Sequence, residues 1–317
     1  MEKIIKKQEL AARAAWMYYI AGQTQHQIAD TLGVSRQVAQ RLVASASDLG
    51  LVRVSINHSV AECASLAMEL AATFDLTRCQ VVPSAGLDAD ALNRMIAVAA
   101  AEELERVISR SSAQMIALGS GRTLRSAINR LTGHHAPQHS CLSLIGAIAS
   151  DGSCTRYDAP LSLAEKIHSK YFILPAPLFA DSPQDRDIWC NQRIYKLIAE
   201  KALQADVAFL GIGEVSFQCP LQADGFISAA DVQRLVSQGV VAELLGQFID
   251  QNGQPVADKL DHCRTSLPLT SAGSSERIAF AAGSNKFQAI QAVLRGRWIN
   301  GLVTDEETAR RLLFHHP

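Results

Sequence analysis

The sequence lacks any apolar run near the roughly 18 residues that a membrane-spanning helix needs. Its N-terminus lacks a signal-peptide core, so the expected location is the cytoplasm and no membrane partner is expected. Cysteine never occurs as Cys-x-x-Cys. The seven present (Cys63, Cys79, Cys141, Cys154, Cys190, Cys219 and Cys263) are scattered, and an odd, dispersed set reads as reduced, mostly buried thiols. No Ser/His/Asp arrangement or paired carboxylate can be argued from spacing, so no catalytic residue is assigned. His134, His135 and His139 lie in a polar, proline-containing loop without a further ligand at metal spacing, and no metal or cofactor is expected. Excess charge is also missing, with a net of −1 over 317 residues.

That charge is unevenly placed. Residues 1–58 hold seven Lys/Arg against four Asp/Glu, and the remainder holds 23 against 27. A small basic head on an acidic body is the pattern of a nucleic-acid-binding module attached to something else. Length allows two domains.

In the head, residues 9–21 are apolar at helical spacing and Gly22 ends them. Thr24 N-caps a second helix, with Ile28, Ala29 and Leu32 on its inner stripe, and Gly33 supplies the turn. Ser35 caps a third helix ending before Gly50. This is the spacing of a helix-turn-helix, and the alternation of Leu-Val-Arg-Val-Ser-Ile-Asn (51–57) predicts a wing strand. The third helix would enter the major groove of double-stranded operator DNA. Ala39, Leu42 and Val43 would face inward and Arg36, Gln37, Gln40 and Arg41 outward. Thr24, Gln25 and Ser35, at the two helix starts, complete the candidate DNA contacts. The plain alternative for any one of them is a solvated surface side chain. Tyr18 and Tyr19 read as core or dimer contacts.

Residues 59–77 read as a helical linker. From residue 78 to 317, apolar runs alternate with helical segments, including one long helix over 184–204, which predicts an α/β domain with a largely parallel sheet covered on both faces. Ligands of such sheets sit beyond the C-terminal strand ends. Four segments there are candidates. The first is Gly119-Ser120-Gly121-Arg122-Thr123, an anion or polyol loop. It is no dinucleotide fingerprint, because Leu124 stands where a third glycine belongs and no acid follows near residue 140. The second is the turn around Gly213 (211–214). The third is 283–286, where Ser284 would cap a helix carrying Lys286 in its first turn. The fourth is 240–250, where Glu243 could accept hydrogen bonds from ligand hydroxyls; alone it reads as a surface acid. Thr304 with Glu307 reads as a capping box.

Together, YYIAGQTQHQIADTLGVSRQVAQRLV, ALGSGRTL, LPAP, ADVAFLGIG and IAFAAGSNKFQAIQAVLRGRWINGLVTDEETARRLL resemble the SorC family of bacterial sugar-responsive regulators over nearly the whole chain. The resemblance implies a winged helix-turn-helix domain followed by a larger Rossmann-like domain related to glucosamine-phosphate deaminases and ribose-phosphate isomerases. It also implies a homo-oligomer, usually a tetramer, that controls a carbohydrate-use operon. The family's ligand loop falls on Gly119 to Thr123 and its phosphate-contacting lysine on Lys286. Three positions depart from the family pattern. Ser120 replaces an aromatic, Gly146-Ala147 replaces Gly-Gly, and Ala242-Glu243 replaces Gly-Asp. Lys286 and Arg122 favour a phosphorylated carbohydrate effector over a plain sugar or polyol. Two other functions are weighed beside this one: a phosphosugar isomerase or deaminase, for which Glu243 and Asp224 are the only nameable bases, and a ligand-independent DNA-binding oligomer.

Overall fold

The computed structural model describes residues 2–52, 61–146, 148, 159–268 and 275–315. The chain divides into two compact units, Met1–His58 and Ser59–Pro317.

The first unit contains α1 (Glu2–Tyr19), α2 (Gln25–Leu32) and α3 (Arg36–Asp48). Its core is made of small and branched side chains: Ala11, Ala14 and Ala15 from α1, Ile28 and Ala29 from α2, and Ala39, Leu42, Val43 and Ala46 from α3. The alanines let the helices approach closely. The α2–α3 turn depends on Gly33, which adopts the left-handed conformation (φ 65°) that costs glycine nothing and other residues strain. α1 starts earlier than residue 9, because its polar first turns continue the helix that the apolar stripe only partly marks. Tyr18 and Tyr19 are exposed and meet edge to face. Most of the expected wing strand, residues 53–57, lies outside the described residues; Val52 packs on the core.

The second unit runs α4 (Ala61–Phe74), β1 (Arg78–Val82), α5 (Ala89–Ile108), β2 (Met115–Leu118), α6 (Arg122–Arg130), β3 (Ser140–Ser143), α7 (Ala159–Ile167), β4 (Lys170–Phe172), α8 (Pro183–Asn191), α9 (Arg193–Ala202) and β5 (Val207–Gly211). It continues with β6 (Gly213–Glu214), α10 (Pro220–Ala223), α11 (Ala229–Ser237), β7 (Val240–Leu244), β8 (Gln247–Asp250), β9 (Glu276–Phe280), α12 (Phe287–Arg295), β10 (Gly301–Asp305) and α13 (Glu306–Phe314). The main sheet has the order β1-β10-β9-β5-β2-β3-β4, with every pairing parallel.

Both faces of this sheet are buried, which is why its strands read as continuous apolar runs. Ile116, Leu118, Val207, Phe209, Ile278 and Phe280 point to the side covered by α5, α6 and α7. Ala117, Ala208, Leu210 and Ala279 point to the side covered by α4, α12 and α13. The bulk is lopsided: Phe209 and Phe280 stack at 5.5 Å on the first face, whereas alanines dominate the second.

Several segments differ from the sequence expectation. The 59–77 segment is no free linker: Leu66, Leu70 and Phe74 of α4 bury with Val81 of β1 and Leu312 of α13 in the unit's own core. The long helix over 184–204 breaks at Gln192, whose backbone turns extended (ψ 139°) without a Gly or Pro to announce it. The last helix is capped by Asp305, which accepts from Thr308 N at 2.9 Å, while Thr304 is buried in β10. The 240–250 segment is a hairpin. β6, β7 and β8 form a separate antiparallel sheet closed by a two-residue turn, Leu245-Gly246, with positive φ at both positions (54° and 78°). Leucine in a left-handed conformation hides this turn from sequence reading.

That small sheet has its own core of Val215, Cys219, Ile227, Val232, Leu235, Val240 and Phe248. Its rim is fixed by Arg234, which donates to both carboxylate oxygens of buried Asp258 (2.8 and 3.0 Å) and to Asp231 (2.7 Å). These bonds hold the Asp258 carboxyl below the usual range. Replacing Arg234 by Met should cost about 2 kcal/mol in urea unfolding. That is below the roughly 3–5 of a fully buried pair, because the guanidinium is partly exposed. A companion Asp258→Asn change should recover part of it. A depressed carboxyl stabilises above its unfolded value, so the loss in Arg234→Met should be full above about pH 4 and fade as pH falls further.

Candidate functional site

In the first unit, helix termini place the candidate residues. Thr24 and Gln27 form a reciprocal cap: Gln27 N donates to Thr24 Oγ1 at 3.4 Å and Thr24 N donates to Gln27 Oε1 at 2.8 Å. Ser35 Oγ accepts from Val38 N at 3.3 Å. Both hydroxyls are therefore occupied in starting α2 and α3, and Gln25 is half-buried. Arg36, Gln37, Gln40 and Arg41 are all exposed, opposite buried Ala39, Leu42, Val43 and Ala46. None of the four carries a hydrogen bond or ion pair among the described residues, so their donors and acceptors face solvent.

In the second unit, strand order positions the candidate site. From β2 the chain moves outward through β3 to β4, then returns to place β5 on the other side of β2. α6, after β2, covers one face of the sheet through Leu124, Ala127 and Ile128. The excursion after β5 goes to the opposite face, where Ile212, Ala242 and Leu244 are buried. Neighbouring strands whose exits diverge leave a crevice at their C-terminal ends, the place where α/β sheets bind ligands.

The 119–123 loop and the 211–214 segment meet there. Gly119 N donates to Phe209 O at 3.0 Å, the methyl of Leu245 lies over Gly119, and the Ser120 carbonyl lies close to Gly211. Gly121 begins α6 without a side-chain cap hydrogen bond. Arg122 is exposed, and Ser120 and Thr123 are half-buried. Gly213 and Glu214 form β6 instead of a loop, with Gly213 opposite Glu243 of β7.

Lys286 arrives from the far side of β5. Ser284 does not cap a helix: residues 284–286 make one 3₁₀ turn after Gly283, and α12 begins at Phe287. Gly283 N donates to Asp305 Oδ2 at 2.8 Å, which pins this turn to β10. The Lys286 ammonium then donates to Ile212 O at 2.9 Å. Burial lowers its pKa and the charge of Arg122 adds to that, while Glu214 and Glu243 act in opposition.

Glu243 is no surface acid. Its carboxylate accepts from Gly246 N inside the hairpin turn and occupies the space over Gly213 that a Cβ would need. Burial raises its pKa, with the Gly246 N–H, Lys286 and Arg264 opposing. Gly146 has a packing reason as well: the Ala176 carbonyl stands where its Cβ would be, so the loop after β3 lies against the Leu-Pro-Ala-Pro segment.

Sequence reasoning named the 211–214 segment without singling out Glu214, and it missed Leu245 and Asp305. Among the described residues no group of three or more His, Cys, Asp or Glu could hold a metal. His139 is structural: buried, its Nδ1 accepts from Gln114 N (3.1 Å) and its Nε2 lies 2.9 Å from Ile108 O. No helix among the described residues is long and apolar enough to cross a membrane.

Known proteins share this plan. The family model described as "Putative sugar-binding domain" matches residues 58–314. The chain is 33% identical over 304 residues to the erythritol catabolism regulatory protein EryD of Brucella abortus, covering 96% of both chains. It is 33% identical over 311 residues to the transcriptional regulator LsrR of Escherichia coli, covering 97% of this chain and 95% of that one. Among solved structures, the full-length sorbitol operon regulator SorC from Klebsiella pneumoniae superposes with a TM-score of 0.75 at 26% identity, covering 96% of this chain and 98% of that one. With matches that run through both units and a sugar-binding model that spans the second, the chain belongs to the SorC family of sugar-responsive transcriptional regulators.

Proposed function

We propose that the first unit binds double-stranded operator DNA through α3, and that the second binds a small phosphorylated carbohydrate in the β2/β5 crevice. Occupancy of the crevice would set operator affinity. The observation that carries the ligand half is the convergence of three features at the strand ends: the uncapped start of α6, the exposed Arg122, and the Lys286 ammonium held on Ile212 O. Backbone donors at a helix start and a nearby cation suit a phosphate. Hydroxyls of the same ligand would find Ser120, Thr123 and Glu214. In this reading Glu243 and Gly213 shape the wall, and Gly119 and Gly146 allow backbone to pass closely.

The protein is read as a regulator and not a phosphosugar enzyme. Glu243 is tied to the hairpin turn, and Asp224 is exposed at the end of α10, so neither is poised as a general base. Incubation with phosphosugars should give no turnover. The active form is a homo-oligomer, a tetramer by family resemblance, working in the cytoplasm. Paired heads would need half-sites about 34 Å or a multiple of it apart.

Thermal melting against a panel of sugars, sugar alcohols and their phosphates tests the ligand. At 100 times Kd a phosphorylated hit should stabilise by about 2.7 kcal/mol. Lys286→Ala should abolish that shift while leaving DNA binding measurable. Stabilisation only by unphosphorylated polyols, or a hit indifferent to Lys286, would refute the phosphate assignment. The same compound should change operator affinity about 5- to 150-fold. Gly213→Ala, which displaces the Glu243 carboxylate, should weaken ligand response without altering affinity for DNA in its absence.

A further inference from the structure

The exposed side of α3 is not uniform. Ala39, Leu42, Val43 and Ala46 bury one face. At about 100° per residue, the line opposite that face runs through Gln37, Arg41, Ala44 and Asp48. All four are exposed. Arg36 and Gln40 are also exposed but lie to one side of this line, nearer the body of the unit. Ala44 has no side-chain hydrogen-bonding group, and the Asp48 carboxylate would be repelled by phosphates. Polar readout along the outermost line is thereby confined to the first two turns, and to two residues.

We propose that Gln37 and Arg41 are the base-reading side chains of this protein, taking an adenine and a guanine respectively, and that Arg36 and Gln40 hold backbone phosphates. This rests on the reading of the first unit as a DNA-binding module. Glutamine matches the N6/N7 edge of adenine and arginine the O6/N7 edge of guanine in the major groove. Four residues of helix rise span about 6 Å, against about 3.4 Å per base pair, so the two purine-bearing pairs lie about two base pairs apart. The pattern follows from exposed side chains that make no hydrogen bond or ion pair among the described residues, on a helix whose start is fixed by the Ser35 cap.

The full-length protein, with selection from a random double-stranded DNA library followed by sequencing, supplies the test. Wild-type protein should enrich half-sites with an A·T and a G·C pair about two positions apart. Arg41→Gln should convert the G·C preference towards A·T at that one position. Gln37→Ala should flatten preference at the other, each with about a 5- to 160-fold loss of discrimination. Arg36→Ala and Gln40→Ala should weaken binding to all sequences alike and leave the motif unchanged, and Arg36→Ala, which removes a charge, should also reduce its salt dependence. Thermal melting of each variant should match wild type, since all four side chains are exposed. If wild-type protein enriches a motif that Arg41→Gln and Gln37→Ala leave intact, this assignment is wrong while the DNA-binding reading stands. If no motif is enriched at all, both fail.

Discussion

The exchange of direction between β2 and β5 is the constraint on which the second unit depends. Two adjacent parallel strands send their connections to opposite faces, which opens a gap between their ends. Most of the candidate ligand residues are placed by reference to that gap; Gly146, after β3, is not. The 119–123 loop leaves β2 and the 211–214 segment leaves β5. The loop ending in Lys286 leaves β9, the neighbour of β5 on its far side. Burial on both faces makes the frame rigid: Phe209 and Phe280 fill one side, and the alanines of the same strands let helices settle on the other.

The small antiparallel sheet completes the crevice. It is inserted between β5 and β9 and folds around a core of its own, with Phe248 at the centre. Its hairpin turn reaches back to Gly119 through Leu245, and Glu243 braces the turn from within. The buried Lys286 ammonium therefore lies within electrostatic reach of Glu214 and Glu243, which favour its charge, and of Arg122, which opposes it. The hydrogen bond from Lys286 to the Ile212 carbonyl offsets part of the cost of burying that ammonium. Asp305 does related work at a distance, because it both starts α13 and holds Gly283 in place.

Much of this was legible in the sequence. Thr24, Gly33 and Ser35 mark the head because caps and left-handed turns are local demands, met by residue type within a few positions. The alternation of apolar runs with helices gave the parallel sheet for a similar reason. The places that escaped reading were set by distant partners. Gln192 breaks a helix without a breaker residue, and Leu245 takes a glycine-like conformation. Glu243 looks like a surface acid until Gly213 and Gly246 are placed beside it.

The sequence by itself determined the two-part plan, the helix-turn-helix, the glycine loop after β2 and the family, because each is written in local patterning or in ordered motifs. The tertiary structure alone decided which strand ends adjoin. It thereby decided that Lys286 would sit on the carbonyl of Ile212, that residues 213–250 would build a second sheet, and that α4 would join the core. These outcomes depend on contacts between residues tens to hundreds of positions apart, whose geometry is set by sheet order and burial rather than by any short stretch of chain.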